Sequence, residues 1–180
     1  MKKIISMILV IVTIFALTGC TTKKEVNVPV SEIAANVKQV MKDEMIAQGM
    51  PEDRFIDDQL SGFMEITLPT EQESAFPGFL NAESFTSEDI EEAISFEQMM
   101  NVKSDLVIIV KAKDESKVAN VQASLEEIKQ KQEQIWSQYL PDQYEKVKNN
   151  VIKTNGNYLI YVTSDNPEAI TKAFDESLTK

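Results

Sequence analysis

The chain has 180 residues, one cysteine, no histidine, and 29 acidic against 18 basic residues, a formal charge of −11 at neutral pH. Without histidine there are no His-based triads, imidazole metal ligands or histidine pH switches, and a single cysteine allows no internal disulfide. An acidic surface also repels nucleic acid, so no nucleic-acid partner is expected.

Met1, Lys2 and Lys3 place positive charge ahead of an apolar run from Ile4 to Leu17, broken only by Ser6 and Thr13. That order is the n-region and h-region of an export signal. The run is too short for a helix that must span a bilayer with about 20 apolar residues, so it is read as cleaved. Leu17, Thr18, Gly19 and Cys20 follow, and they resemble the lipobox of bacterial lipoproteins. The resemblance implies a diacylglyceryl group on the Cys20 sulfur, with signal peptidase recognising Leu17, Thr18 and Gly19 and cutting before Cys20. Two acyl chains give stable anchoring where one gives only marginal binding. The expected organisation is a signal over 1–19, a lipidated cysteine and tether over 20–30, and a single domain over 31–180. Loss of Lys2 and Lys3 leaves 16 basic and 29 acidic residues, a formal charge of −13. The expected location is the extracytoplasmic face of the cell membrane.

Ser31 is suited to cap a helix in which Ile33, Val37, Val40, Met41 and Met45 recur at helical spacing up to Gln48, before Gly49 and Pro51 end it. From Pro51 to about Glu92 the pattern predicts short helices and loops: Phe55, Leu60, Phe63, Ile66 and Leu68 suit a short helix followed by a strand, Pro69 to Ser87 is polar, and Ser87 to Glu91 suits a helix start or a turn into a strand. Asp105 to Lys113 contains five consecutive apolar residues, Leu106 to Val110, the mark of a strand in the middle of a sheet. Asp114 then caps a long helix with a stripe of Val118, Val121, Leu125, Ile128, Ile135 and Tyr139, interrupted only by Gln132 and ended at Leu140-Pro141. Asn155-Gly156, between two β-favouring runs, predicts a hairpin that sets Thr154 opposite Asn157 and Lys153 opposite Tyr158. Asn166-Pro167 opens a last helix carrying Ile170, Phe174 and Leu178. Helix, mixed region, strand, long helix, hairpin and helix together predict an α+β domain, a mostly antiparallel sheet with helices packed across it. Its core can be assembled from Val107, Ile109, Leu125, Ile128, Ile160 and Phe174 without burying any charge.

Met99-Met100-Asn101-Val102-Lys103, Tyr139-Leu140-Pro141-Asp142-Gln143-Tyr144 and Gly156-Asn157-Tyr158, behind the lipobox, resemble the bacterial lipoproteins catalogued as domain of unknown function 4358. The likeness covers about residues 85 to 180 plus the signal. It implies a lipoprotein of a Gram-positive surface and supplies no activity and no catalytic residues.

Reactive motifs are thin. Ser164-Asp165-Asn166 copies the S-D-N element of penicillin-interacting serine enzymes, but the S-x-x-K from Ser177 to Lys180 lies in the wrong order and Lys153-Thr154 is followed by asparagine. A helix cap is the plainer reading. The acidic pairs Asp57-Asp58, Glu91-Glu92 and Glu126-Glu127 are adjacent in sequence, whereas a glycosidase needs two carboxyls converging across a cleft. No calcium loop of the D-x-[DN]-x-[DN]-G kind is present, although acidic residues near Asp57 or Glu88 offer a weak site; no metal ligands and no cofactor are assigned. Trp136 and Tyr144 are the candidate partner-facing residues, Trp136 standing one position off the apolar stripe, while Tyr139 is assigned to the core. The expected function is a non-enzymatic binding or interaction module for a protein or small ligand, anchored at the membrane through Cys20. The alternative is a carboxylate-dependent cell-wall hydrolase.

Overall fold

The computed structural model describes residues 27–57, 59–68 and 84–179. Cys20, its preceding recognition residues Leu17 to Gly19, and Asp58 lie outside them.

Among the described residues four α-helices and five strands follow in the order α1 (Val30–Ala47), β1 (Phe63–Leu68), β2 (Ile90–Gln98), β3 (Leu106–Ala112), α2 (Val118–Ser137), α3 (Pro141–Lys148), β4 (Val151–Asn155), β5 (Tyr158–Thr163) and α4 (Pro167–Ser177). The strands form one sheet in the order β1-β2-β3-β5-β4, antiparallel at every pairing. This is the α+β arrangement that the sequence predicts. β3 lies at its centre with all seven residues buried, as its continuous apolar run requires.

Alternation along the strands sorts the core into two layers. Ile94, Phe96, Val107, Ile109, Ile160 and Val162 face α1 and α4, packing on Ile33, Val37, Ile170 and Phe174. Ala93, Ile108, Val110, Leu159 and Tyr161 face the other way, onto Val121, Leu125 and Ile128 of α2. Each aliphatic side chain so buried contributes about 1.5–3 kcal/mol.

Several boundaries depart from the sequence reading. Helix α1 begins at Val30 and its N-cap is Pro29, not Ser31. The reason is a long-range cap: the Val30 N–H donates to Glu92 Oε2 at 2.8 Å, and proline brings no N–H that needs a partner. Nor is the chain just before α1 stretched clear of the domain. Val28 N–H donates to the Tyr158 hydroxyl, which donates back to the Val28 carbonyl, both at 2.8 Å, and Lys111 Nζ donates to Asn27 Oδ1 at 2.9 Å. At its other end α1 closes with Gly49 at φ +97°: Gly49 N–H reaches Ile46 O and Met50 N–H reaches Met45 O, the paired bonds of a Schellman motif.

Ser87 to Asp89 turn into strand β2, the second of the two readings the sequence left open there; Glu91, Glu92 and Glu97 interrupt its apolar residues and hide its extent. Asp114 does cap, accepting from Ser116 N–H, but a 3-10 turn over Glu115–Lys117 comes before α2. Helix α3 was also unforeseen: Pro141 ends nothing by itself and occupies the first turn of a new helix. The hairpin forms one residue further along than predicted, with Asn155 opposite Tyr158 and Thr154 opposite Leu159. Its two-residue loop is Gly156-Asn157, and only Gly156 has positive φ, +61°. Glycine at the first central position matches a type II′ turn, not the type I′ turn that Asn-Gly suggests.

The core does enclose charge. Lys111 is 6% exposed and is paired with Glu91 at 2.9 Å; the Lys146 side chain is 11% exposed between two aspartates. A buried ammonium requires such partners.

Candidate functional site

At the end of the sheet away from Val28, the last turns of α1, the start of β1, the β2–β3 loop and the start of α4 enclose a cleft of about 460 Å³, a volume in the range of small-molecule sites. Helix α1 supplies Met41, Glu44 and Met45, and the turn after it Gln48 and Met50; Phe63 opens β1, Met100 and Lys103 stand on the β2–β3 loop, and Ile170 comes from α4. Every methionine of the described residues gathers at this end: Met41, Met45, Met50 and Met100 in the cleft, and Met64 and Met99 in a smaller adjoining depression that shares Phe63. Unbranched thioether side chains make an apolar wall that adapts to what it touches.

Polar groups converge on that wall. Lys146, on α3, donates to Asp105 Oδ1 and Oδ2 at 3.2 and 3.1 Å and pairs with Asp165 Oδ1 at 2.8 Å, and both aspartates line the cleft. Burial pulls the Lys146 ammonium toward a lower pKa, but the hydrogen bonds and charges of Asp165 and Asp105 outweigh it and hold it above the ordinary lysine value. Glu44 is the converse. Burial pushes its carboxyl above the usual range, a side-chain hydrogen bond from Asn166 acts against that, and the negative charge of Asp165 adds to it. Glu44 Oε1 is buried with no hydrogen-bond partner among the described residues.

Two residues of the S-D-N element, Ser164 and Asp165, line the cleft, and the element does a structural task. Asn166 Oδ1 accepts from Ala169 N–H at 3.3 Å to cap α4, and Ser164 Oγ accepts from Asn166 N–H at 3.2 Å. Among the described residues the acidic pairs do not converge. Glu91 binds Lys111 and Glu92 caps α1, while Glu127 is held by Lys131 and Ser84. Among the described residues no group of three or more His, Cys, Asp or Glu is placed to hold a metal ion, and no helix is long and apolar enough to cross a membrane.

The aromatic assignments require correction. Trp136 is 8% exposed and its indole N–H donates to Gln132 Oε1 at 3.0 Å, whereas Ile135 and Tyr139 are 55% and 56% exposed. From Val121 the true 3.6-residue stripe runs through Leu125, Ile128, Gln132 and Trp136; stepping by seven from Ile128 to Ile135 drifts off it. Trp136 is therefore not a partner-facing residue. Tyr144 is half-buried on α3, with Lys148 Nζ 5.3 Å from its ring centre, and lines no part of the cleft.

Reading from sequence singled out Ser164 and Asp165 as a motif and Met100 and Lys103 as family-like, but did not bring the cleft residues together. Its one visible sign was the bunching of methionines at 41, 45, 50, 99 and 100, which helix periodicity explains only for the first two.

An antiparallel sheet between helices, with a methionine-walled cleft at one end, defines a domain of the α+β class whose polar groups are mostly occupied with one another. Residues 84–164 match the model of the family described as Domain of unknown function (DUF4358). The match runs from the turn before β2 to the end of β5, so it includes the β2–β3 side of the cleft and leaves out α1 and α4. No curated protein and no solved structure matches the chain. The three sequence elements that carry the family likeness have structural positions of their own. Gln143 Oε1 accepts from Ser104 N–H at 2.9 Å, tying the 139–144 segment to the loop that bears Met100 and Lys103. Asn157 Nδ2 donates to the Ala112 carbonyl at 3.1 Å, and Tyr158 holds Val28.

Proposed function

We propose that the protein is a lipid-anchored extracytoplasmic module that binds a small ligand in the methionine-walled cleft and does not transform it. The observation that carries this reading is the cleft itself, a volume of about 460 Å³ with apolar walls and a few convergent polar groups. The signal-like start of the sequence and Cys20 support the address. A carboxylate hydrolase is less well supported. Asp105 and Asp165 are both committed to Lys146, and the Asp165 side chain is 66% exposed, so Glu44 has no second buried carboxyl free to work with it.

Two measurements test the reading together. Intact-mass analysis of the membrane-fractionated protein should show an N-terminal diacylglyceryl Cys20, and Cys20→Ser should abolish the modification; an N-terminus elsewhere removes the address. Incubation with cell-wall fragments and with ester and peptide substrates should give no turnover. Turnover lost in Glu44→Gln would replace the binding module with an enzyme.

A further inference from the structure

The cleft has a charge preference, and it rests on the binding-module reading above. Three carboxylates line it, Glu44, Asp105 and Asp165, against Lys103 at the rim and Lys146 behind the two aspartates. One negative charge is therefore left over. It falls on Glu44, whose Oε1 is buried without a partner among the described residues and whose carboxylate lies close enough to Asp165 to feel its charge. A buried carboxylate oxygen with no donor is costly to the free protein. A ligand that brings an N–H donor and a positive charge removes that cost, and a charge-assisted hydrogen bond of this kind is about twice as strong as a neutral one. Around Glu44 the wall is apolar and adaptable: Met41, Met45, Phe63, Met100 and Ile170.

We propose that the cleft is a site for a small amphiphilic cation, its ammonium group bound to Glu44 with the charge of Asp165 alongside, and its hydrocarbon body lying on the methionine thioethers. A carboxylate-bearing analogue of the same body is disfavoured by the same two acids. A neutral analogue keeps the apolar contact and loses the hydrogen-bonded charge.

The test uses the full-length chain in lipid nanodiscs, labelled with 13C at the methionine methyl groups, and titrated with benzylammonium, benzyl alcohol and phenylacetate; empty nanodiscs correct for partitioning. Benzylammonium should shift the signals of Met41, Met45 and Met100 saturably, benzyl alcohol should bind about tenfold more weakly, the loss of one charge-assisted contact, and phenylacetate should not bind. Glu44→Gln, nearly isosteric, should bring benzylammonium down to the affinity of the alcohol without changing the alcohol's own. Asp165→Asn should cause a smaller loss in the same direction. Equal binding of alcohol and ammonium, or tighter binding of phenylacetate, overturns the charge assignment while leaving a ligand cleft in place. If no probe moves any methionine signal, the cleft is not a ligand site, and both proposals fall.

Discussion

Replacing Lys146 with methionine keeps most of the apolar stem of the side chain and removes the ammonium, so it isolates what that group does for the fold. Lys146 is held at 3.1 Å from Asp105 and 2.8 Å from Asp165, with side-chain exposures of 11%, 14% and 66% in that order. Taking one partner from a buried pair costs about 3–5 kcal/mol, because the other charge is left without compensation. The Asp165 contact is largely exposed and is worth about 0.2–1 kcal/mol. Asp105, slightly open to solvent, recovers part of its hydration once the lysine is gone, and the net expectation for Lys146→Met is a loss of about 2–3 kcal/mol. Urea denaturation followed by circular dichroism measures it. In Lys146→Met/Asp105→Asn the orphaned charge is removed as well, and at least half of the loss should return, a coupling of about 1.5 kcal/mol. The pH dependence has a definite sign. The folded-state pKa of Lys146 lies above its ordinary value of 10.5, so its stabilisation is complete below that value and disappears as pH rises through the folded pKa. The variant should lack that share of the alkaline loss. A single variant within about 0.5 kcal/mol of the parent, or a double variant whose losses simply add, would refute the reasoning.

Gly156→Val should destabilise the domain by about 1–2 kcal/mol through strain alone, because φ is +61° and a Cβ there meets nothing within 4 Å; an unchanged urea midpoint would count against the turn. Tyr158→Phe should cost about 1–3 kcal/mol, since it leaves the Val28 N–H and C=O without their partner, and amide exchange at Val28 should quicken; unchanged exchange would show that the chain start is not held there. Trp136→Ala should cost about 3–5 kcal/mol if the indole is core, whereas Tyr139→Ser should stay within about 0.5 kcal/mol; similar effects at the two sites would restore the discarded stripe.

How far the sequence foretold the structure varied with how locally each feature is determined. The central strand was legible because five apolar residues in a row, Leu106 to Val110, have few other places to go. Helix α4 was legible because Asn166 and Pro167 carry their own cap chemistry. Strand β2 was legible only as one of two open readings, because Glu91 and Glu92 find their partners far along the chain, at Lys111 and the Val30 N–H. The hairpin was recognised and misregistered by one residue, since Asn-Gly and Gly-Asn are both acceptable two-residue loops and only the pairing with β5 selects between them. The cleft was the least legible feature. Its residues come from four separate segments, and no spacing within any one of them announces that Glu44, Met100 and Asp165 will meet.

The sheet itself determines how the cleft is presented. The chain approaches α1 along the end of the sheet marked by Glu92, Lys111 and Tyr158, where Asn27, Val28 and Val30 are hydrogen-bonded. The cleft lies at the other end of the same strands, beside Gln98, Asp105 and Ser164. A seven-residue strand such as β3, rising about 3.3 Å per residue, puts roughly 20 Å between the two ends. On the proposed anchorage only six residues separate Cys20 from Asn27, a reach of at most about 25 Å. The lipid would then hold the Tyr158 end toward the bilayer and the cleft away from it. A ligand captured there would come from the aqueous side, which suits a water-soluble amphiphilic cation better than a lipid taken from the membrane plane.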